Sequence, residues 1–229
     1  GLGRVGVRGP DEVIRLANAA QSFEGVNFSG LMFYPGHIRM SVPEQVTHQE
    51  LLNERLLRTI SALCEEGLNP GIVSGGSTPT LWRSHEIQAL TEIRAGSCIF
   101  FDREALEVGV ANAEDLAYTV LATVISTAVP GQVVVDAGSK ALAKESRSGE
   151  AGFGILFDRP EVVVSSVSEE HGVLDLSGID WHPKVGERVR IIPNHVCVSV
   201  NLQEELLARD DGTHCFIELE ARGRRHWSV

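Results

Sequence analysis

Lysine is the scarcest charged residue in this chain, with only Lys140, Lys144 and Lys184 among 229 residues. Chemistry that needs a lysine amine therefore has three candidates. Basic charge is scarce as well. The net charge of −11 and a pI near 5.2 argue against a polyanionic partner, because nucleic acid and anionic membrane surfaces both require basic patches. The one tight basic cluster, Arg222-Gly223-Arg224-Arg225, reads as a solvated tail. Cys64, Cys98, Cys197 and Cys215 show no CxxC spacing and no paired framework, which excludes a disulfide scaffold and fits mostly buried thiols in a reducing cytoplasm. No apolar run approaches the roughly 20 residues of a membrane span, and no signal peptide is expected. An initiator Met, an internal repeat, a low-complexity tract and a long linker are also missing.

What is present suits a soluble enzyme. An apolar content of 43% can bury one large core or two modest ones, and two unequal domains are expected. Apolar residues recur at helical spacing from Pro10 to Ser22, with Pro10 suited to a first turn. Phe28 to Tyr34 reads as a strand. A helix from about Glu44 to Glu66 carries Leu51, Leu52, Leu56, Leu57, Ile60 and Leu63 on one stripe and stops at Gly67. Gly71–Gly75, Thr91–Ala95 and Cys98–Phe101 read as further strands, so this part predicts a parallel α/β sheet. From about Ala117 the pattern changes. Tyr118–Ser126, Gln132–Asp136, Val162–Val167 and Glu187–Ile192 are rich in β-branched residues, and Asp210-Asp211-Gly212 predicts a hairpin turn. The second part is expected to be mostly antiparallel, with the boundary between Leu106 and Glu114.

Two segments suggest chemistry directly. In Pro193-Asn194-His195-Val196-Cys197, strand alternation would put His195 and Cys197 on one face, where imidazole and thiolate suit Zn²⁺ and leave positions open for water or substrate. Read by itself, the same pair is a histidine and a cysteine buried on a strand. In Gly75-Gly76-Ser77-Thr78-Pro79, the glycines allow close backbone approach to a phosphate and the hydroxyls add donors. Read by itself, this loop is a simple turn.

Three more segments are Thr91-Glu92-Ile93-Arg94-Ala95-Gly96, Val135-Asp136-Ala137-Gly138-Ser139-Lys140 and Ser168-Glu169-Glu170-His171-Gly172. Taken in order along the whole chain, the five closely resemble the D-threonine aldolase and D-serine dehydratase family of pyridoxal-phosphate lyases that also need a divalent metal. The resemblance implies an α/β plus β fold, with residues 1–110 as the second half of an alanine racemase-type (β/α)₈ barrel on the cofactor side and residues 111–229 as a β-rich metal-binding domain. It makes Gly75, Gly76, Ser77 and Thr78 a phosphate cup and His195 and Cys197 the ligands of Zn²⁺, with Mn²⁺ or Mg²⁺ as other candidates. Arg4, at the end of a first strand, and Tyr34 face the cofactor. His37 becomes the acid–base residue, since imidazole titrates near neutral pH. Glu170 or His171 is expected to orient His195, while His48, His85, His182, His214 and His226 are read as surface or filler.

The resemblance also places the lysine that forms the Schiff base in a segment before the matched part, so the chain is expected to be a C-terminal fragment, inactive alone, with Lys140 structural or exposed. A small D-amino acid is the expected substrate, a homodimer the expected full-length state and the cytoplasm the expected location. D-threonine aldolase-like cleavage to glycine and an aldehyde stands first, and D-serine dehydratase-like elimination to a keto acid and ammonia second. An alanine racemase-like isomerase and an inactive metal-binding fragment stay open.

Overall fold

The computed structural model describes residues 2–146 and 152–220, so the basic cluster at 222–225 and His226 lie outside the described residues. The chain divides into two compact units, Gly1–Ile99 with Ala105–Asn112, and Phe100–Glu104 with Ala113–Val229.

The first unit alternates helix and strand. Helix α1 (Gly9–Gln21) opens with Pro10 in its first turn and with Asp11 and Glu12 beside the positive end of its dipole. Strand β1 (Gly30–Met32) is shorter than the apolar run from Phe28 to Tyr34 suggests. A 3₁₀ turn (Val42–Gln45) capped by reciprocal Ser41 and Glu44 hydrogen bonds then leads into α2 (Val46–Glu65). Gln49, Leu56 and Leu63 are the buried residues of α2, spaced at two-turn intervals, whereas Leu51 and Leu57 of the expected stripe are exposed. The helix buries a narrower face than its composition implies. Leu63 packs with Ala17, Leu68 and Phe28, which joins α1 to α2. The stop at Gly67 is as expected: with φ +74, it lets the Leu68 N–H return to the Leu63 carbonyl at 2.9 Å.

Strands β2 (Ile72–Gly75) and β3 (Glu92–Ile93) complete a parallel sheet in the order β1-β2-β3, with Gly30 opposite Ile72 and Ser74 opposite Glu92. The parallel sheet is therefore as expected. The segment Cys98–Phe101 is not a strand. It forms a 3₁₀ turn (Ser97–Ile99), followed by Phe101 at φ +54, a value closed to an extended chain. Arg4, expected at a strand end, lies in a bend over residues 4–6.

After the short helix α3 (Arg103–Glu107), the second unit is dominated by a closed antiparallel barrel. Its strands are β4 (Val120–Ser126), β5 (Gln132–Val135), β6 (Gly154–Leu156), β7 (Val163–Val167), β8 (Gly172–Asp175) and β9 (Arg188–Pro193), closed in the order β4-β5-β8-β7-β6-β9. Alternation fills the interior: Val133 and Val135 of β5, Val189 and Ile191 of β9, and Val164 and Leu174 point inward. Closure removes the sheet edges that an open β half would expose. Two helices attach to this barrel, α4 (Ser139–Leu142) and α5 (Val196–Leu202). Beyond them, β10 (Glu205–Asp210) and β11 (Thr213–Glu218) form the expected hairpin, with Asp211 and Gly212 both at positive φ in the two-residue turn.

Two of the sequence segments meet for packing reasons. A side chain at Gly138 would stand 2.4 Å from the Ser168 carbonyl oxygen and 2.5 Å from that of Glu169, so only glycine lets residues 136–140 lie against residues 168–171. Backbone bonds from Ser139 and Lys140 to those two carbonyls close the contact at 2.7 and 3.1 Å. The thiols are more exposed than composition suggests: Cys64, Cys197 and Cys215 are exposed and Cys98 is half-buried. Cys64 lies on the outward side of α2, and every residue of β11 is exposed.

Candidate functional site

The chemistry-bearing residues form one group in each unit. In the first, a cleft of about 1000 Å³ is lined by Arg4, Tyr34, His37 and Arg94, among others. Tyr34 and His37 follow the carboxyl end of β1 and Arg94 follows β3, the end of a parallel sheet where ligands bind; Gly76 to Thr78 follow β2 but do not line this cleft. The Arg4 guanidinium lies 5.4 Å from the centre of the Tyr34 ring, a cation–π contact that orients both. Arg94, not singled out in the sequence, donates to the Phe33 carbonyl at 2.7 Å. His37 is held below its ordinary pKa of 6.5, chiefly by desolvation and further by nearby positive groups such as Arg55. It is therefore more readily neutral, the form in which imidazole accepts a proton.

The loop after β2 fits a phosphate through its hydroxyls more than through both glycines. A side chain at Gly75 would meet the Phe33 ring at 2.2 Å, so this glycine accommodates packing. Gly76, at φ +97, makes the turn that delivers Ser77 and Thr78 to the start of a 3₁₀ helix (Thr78–Glu86) with Pro79 in its first turn. Both hydroxyl residues are buried. The Ser77 N–H and hydroxyl are engaged with Thr80, whereas the Thr78 hydroxyl accepts a 2.8 Å bond from Ser97 and keeps its own proton to donate. Buried hydroxyls at a helix start are donors suited to a phosphate.

In the second unit, the His-X-Cys segment does not lie on a strand. Strand β9 ends at Pro193, His195 has extended dihedrals as the N-cap of α5, and Cys197 is in the first turn of that helix. The change of backbone keeps both residues in one turn, and the imidazole hydrogen-bonds Asp102. Asp102, only 2% exposed, accepts from His195 Nδ1 at 3.0 Å and from the Val196 N–H at 2.9 Å. The Asp102 carboxylate first, and the Cys197 thiol second, push the His195 pKa up to about 10. Asn194 anchors the turn. It donates to the Glu145 and Gly152 carbonyls at 3.0 and 2.9 Å and accepts from Arg103 at 3.2 Å. Ser199 holds the next turn between Tyr118, at 3.0 Å, and the Ala141 carbonyl, at 2.6 Å.

Asp102 thus occupies the place expected for Glu170 or His171. Glu170 is 2.5 Å from Lys140 in an exposed ion pair. No sequence signal marked Asp102, which is 93 residues from its partner. Among the described residues no group of three or more histidine, cysteine, aspartate or glutamate side chains could hold a metal. An imidazole and a thiol two residues apart at a hydrogen-bonded turn are ligand types suited to a borderline-soft divalent ion. Of the histidines read as surface or filler, His48, His85, His182 and His214 are exposed.

Comparison with known proteins adds to this geometry. Residues 1–104 match the family model "Alanine racemase, N-terminal domain", and residues 117–208 match "Putative serine dehydratase domain". A D-threonine aldolase from Arthrobacter sp. is 32% identical over 97% of this chain and 59% of its own length. A 3-hydroxy-D-aspartate aldolase from Paracoccus denitrificans is 28% identical over 89% of this chain and 53% of its own length. The solved D-threo-3-hydroxyaspartate dehydratase from Delftia sp. HT23 superposes with a TM-score of 0.81 at 29% identity, covering 94% of this chain and 62% of that one. The same dehydratase has been solved with alanine in place of a histidine and, two positions further on, in place of a cysteine, the latter in a metal-free form. The chain spans about 59% of the aldolase's length and 62% of the dehydratase's.

Proposed function

We propose, from the premise that this chain belongs to the D-threonine aldolase and D-serine dehydratase family, that it carries the cofactor-facing and metal-holding parts of a lyase acting on D-3-hydroxy amino acids. In this reading the first unit is the second half of a (β/α)₈ barrel and the second unit is a metal-binding domain. The observation that carries it is the placement of His195 and Cys197 in one turn, with the imidazole held by Asp102, since a soft two-ligand set serves lyase chemistry and has no use in a metal-free isomerase.

Pyridoxal phosphate would supply an electron sink and the divalent ion Lewis acidity. Thr78, with Ser77 and Gly76, would hold the phosphate. Arg4 and Tyr34, mutually oriented, would form one wall of the cofactor cleft. His37, neutral at lower pH than a free histidine, would take the proton of the substrate β-hydroxyl, and the resulting alkoxide favours scission of the Cα–Cβ bond to glycine and an aldehyde. His195 Nε2 and the Cys197 thiolate would bind the ion, with Zn²⁺ ahead of Mn²⁺ and Mg²⁺ because of the sulfur ligand.

Elimination from D-serine to pyruvate and ammonia is the second reading. It is favoured by the cysteine ligand, which the related dehydratase shares in spacing. We further propose that the amine anchoring the cofactor comes from outside these 229 residues, as Lys140 is engaged with Glu170 and neither Lys144 nor Lys184 belongs to the first unit. The test is product analysis with the full-length protein, pyridoxal phosphate and Zn²⁺ or Mn²⁺. Glycine and acetaldehyde from D-threonine support the aldolase. Pyruvate from D-serine with no glycine from D-threonine would reverse the order of the two readings.

A further inference from the structure

We propose that Asp102 is the positioning residue of the metal-ligand pair, fixing the His195 ring so that Nε2 alone is presented as a ligand beside Cys197; this rests on the metal-binding reading above. The argument begins with the backbone. Phe101 sits at φ +54, an uncommon conformation for a bulky residue, immediately before Asp102 and the start of α3. The following carboxylate is buried and aimed at the β9–α5 turn, where one oxygen, Oδ2, accepts from two donors. One donor is the Val196 N–H, an unpaired group of the first helical turn, so the position of Asp102 relative to the α5 backbone is set independently of the imidazole. The other is His195 Nδ1. An ionised carboxylate only accepts, so Nδ1 must carry a proton, and in the neutral ring the free lone pair is then on Nε2.

A freely rotating imidazole would divide its lone pair between two nitrogens and several ring orientations. Here one nitrogen is committed, and the carboxylate makes the other more basic. The remaining contacts hold the turn itself: Asn194 ties it to the 145 and 152 carbonyls and Ser199 ties α5 to Ala141. Asp102 thus touches both the ligand ring and the backbone that carries it, and it does so from 93 residues away.

Asp102→Asn keeps the size and an oxygen acceptor for both donors but removes the charge, whereas Asp102→Ala removes both. The first measurement is Zn²⁺ affinity by competition with a chromophoric chelator, with the Co²⁺–thiolate absorption as a check on Cys197. We expect Asp102→Ala to weaken binding ~10–100-fold and Asp102→Asn to recover part of that loss, the range associated with groups that orient metal-bound histidines. Affinity in Asp102→Ala equal to that of the parent overturns the proposal. The second measurement needs no metal: proton and nitrogen-15 shifts and solvent exchange of the His195 Nδ1–H in the apo chain. A downfield, slowly exchanging Nδ1–H in the parent that is lost in Asp102→Ala supports the assignment, whereas an unchanged Nδ1–H overturns it. If the parent itself binds no Zn²⁺, the metal reading fails, and the ring shifts still decide whether Asp102 sets the imidazole. Far-ultraviolet circular dichroism of each variant establishes folding, and Asp102→Asn keeps the comparison meaningful if the alanine variant unfolds.

Discussion

His37 shows how one residue's surroundings set what it can do. Desolvation and neighbouring positive charge lower its pKa, so the base form persists below the ordinary value of 6.5. If it is the base of the reaction, kcat/KM should hold as pH falls through 6.5 and decline only lower, at the value of the folded histidine. An acid limb lying above 6.5 that persists unchanged in a His37→Gln control would assign the base elsewhere. The sign for stability follows. The unfolded chain takes up a proton at this site at higher pH than the folded chain does, so the contribution of His37 turns unfavourable as pH drops below 6.5. Replacing His37 with Ala should reduce turnover ~10²–10⁴-fold, the usual contribution of a positioned general base. The spacing of His195 and Cys197 is visible in the sequence, so they stand out there as candidate ligands. The contact of Asp102 with His195 is not, because it comes from a turn after Phe101 that brings it to a residue far along the chain.

At the scale of elements, the long amphipathic patterns were the legible ones. Helices α1 and α2 begin and end within a few residues of their expected limits, since Pro10, the Ser41–Glu44 box and Gly67 are local signals. Short apolar segments misled. Cys98–Phe101 is apolar enough for a strand yet turns, and His195-Val196-Cys197 alternates as a strand would but straddles a strand–helix junction. Alternation over three residues does not distinguish these geometries. Two substitutions test the element contacts. Leu63→Ala empties a fully buried site between α1 and α2 and should cost about 2–5 kcal/mol. Gly138→Ala forces a methyl against two backbone carbonyls and should cost about 1–3 kcal/mol. Denaturant unfolding measures both, and a Gly138→Ala protein as stable as the parent would mean that residues 136–140 and 168–171 can separate freely.

At the scale of the whole molecule, composition excluded more than it identified. A charge of −11 argues against polyanions, and among the described residues no helix is long and apolar enough to cross a membrane. Neither fact selects a reaction. The order of five segments identified the family, while the closed six-stranded barrel was legible only as antiparallel β, because pairing order is not written in strand composition. The homodimer implied by the resemblance is a proposal for the full-length protein, and sedimentation equilibrium at micromolar concentration should give twice the chain mass. The central claim is metal-dependent lyase action on D-3-hydroxy amino acids. Its most direct test is a chirally resolved product assay with the full-length protein and pyridoxal phosphate, run on D- and L-threonine with Zn²⁺ and again with a chelator. The account predicts glycine and acetaldehyde from the D isomer, their loss with the chelator or on His195→Ala, and none from the L isomer. Interconversion of D- and L-alanine at a rate indifferent to the chelator, with no lyase product from D-threonine or D-serine, would contradict it.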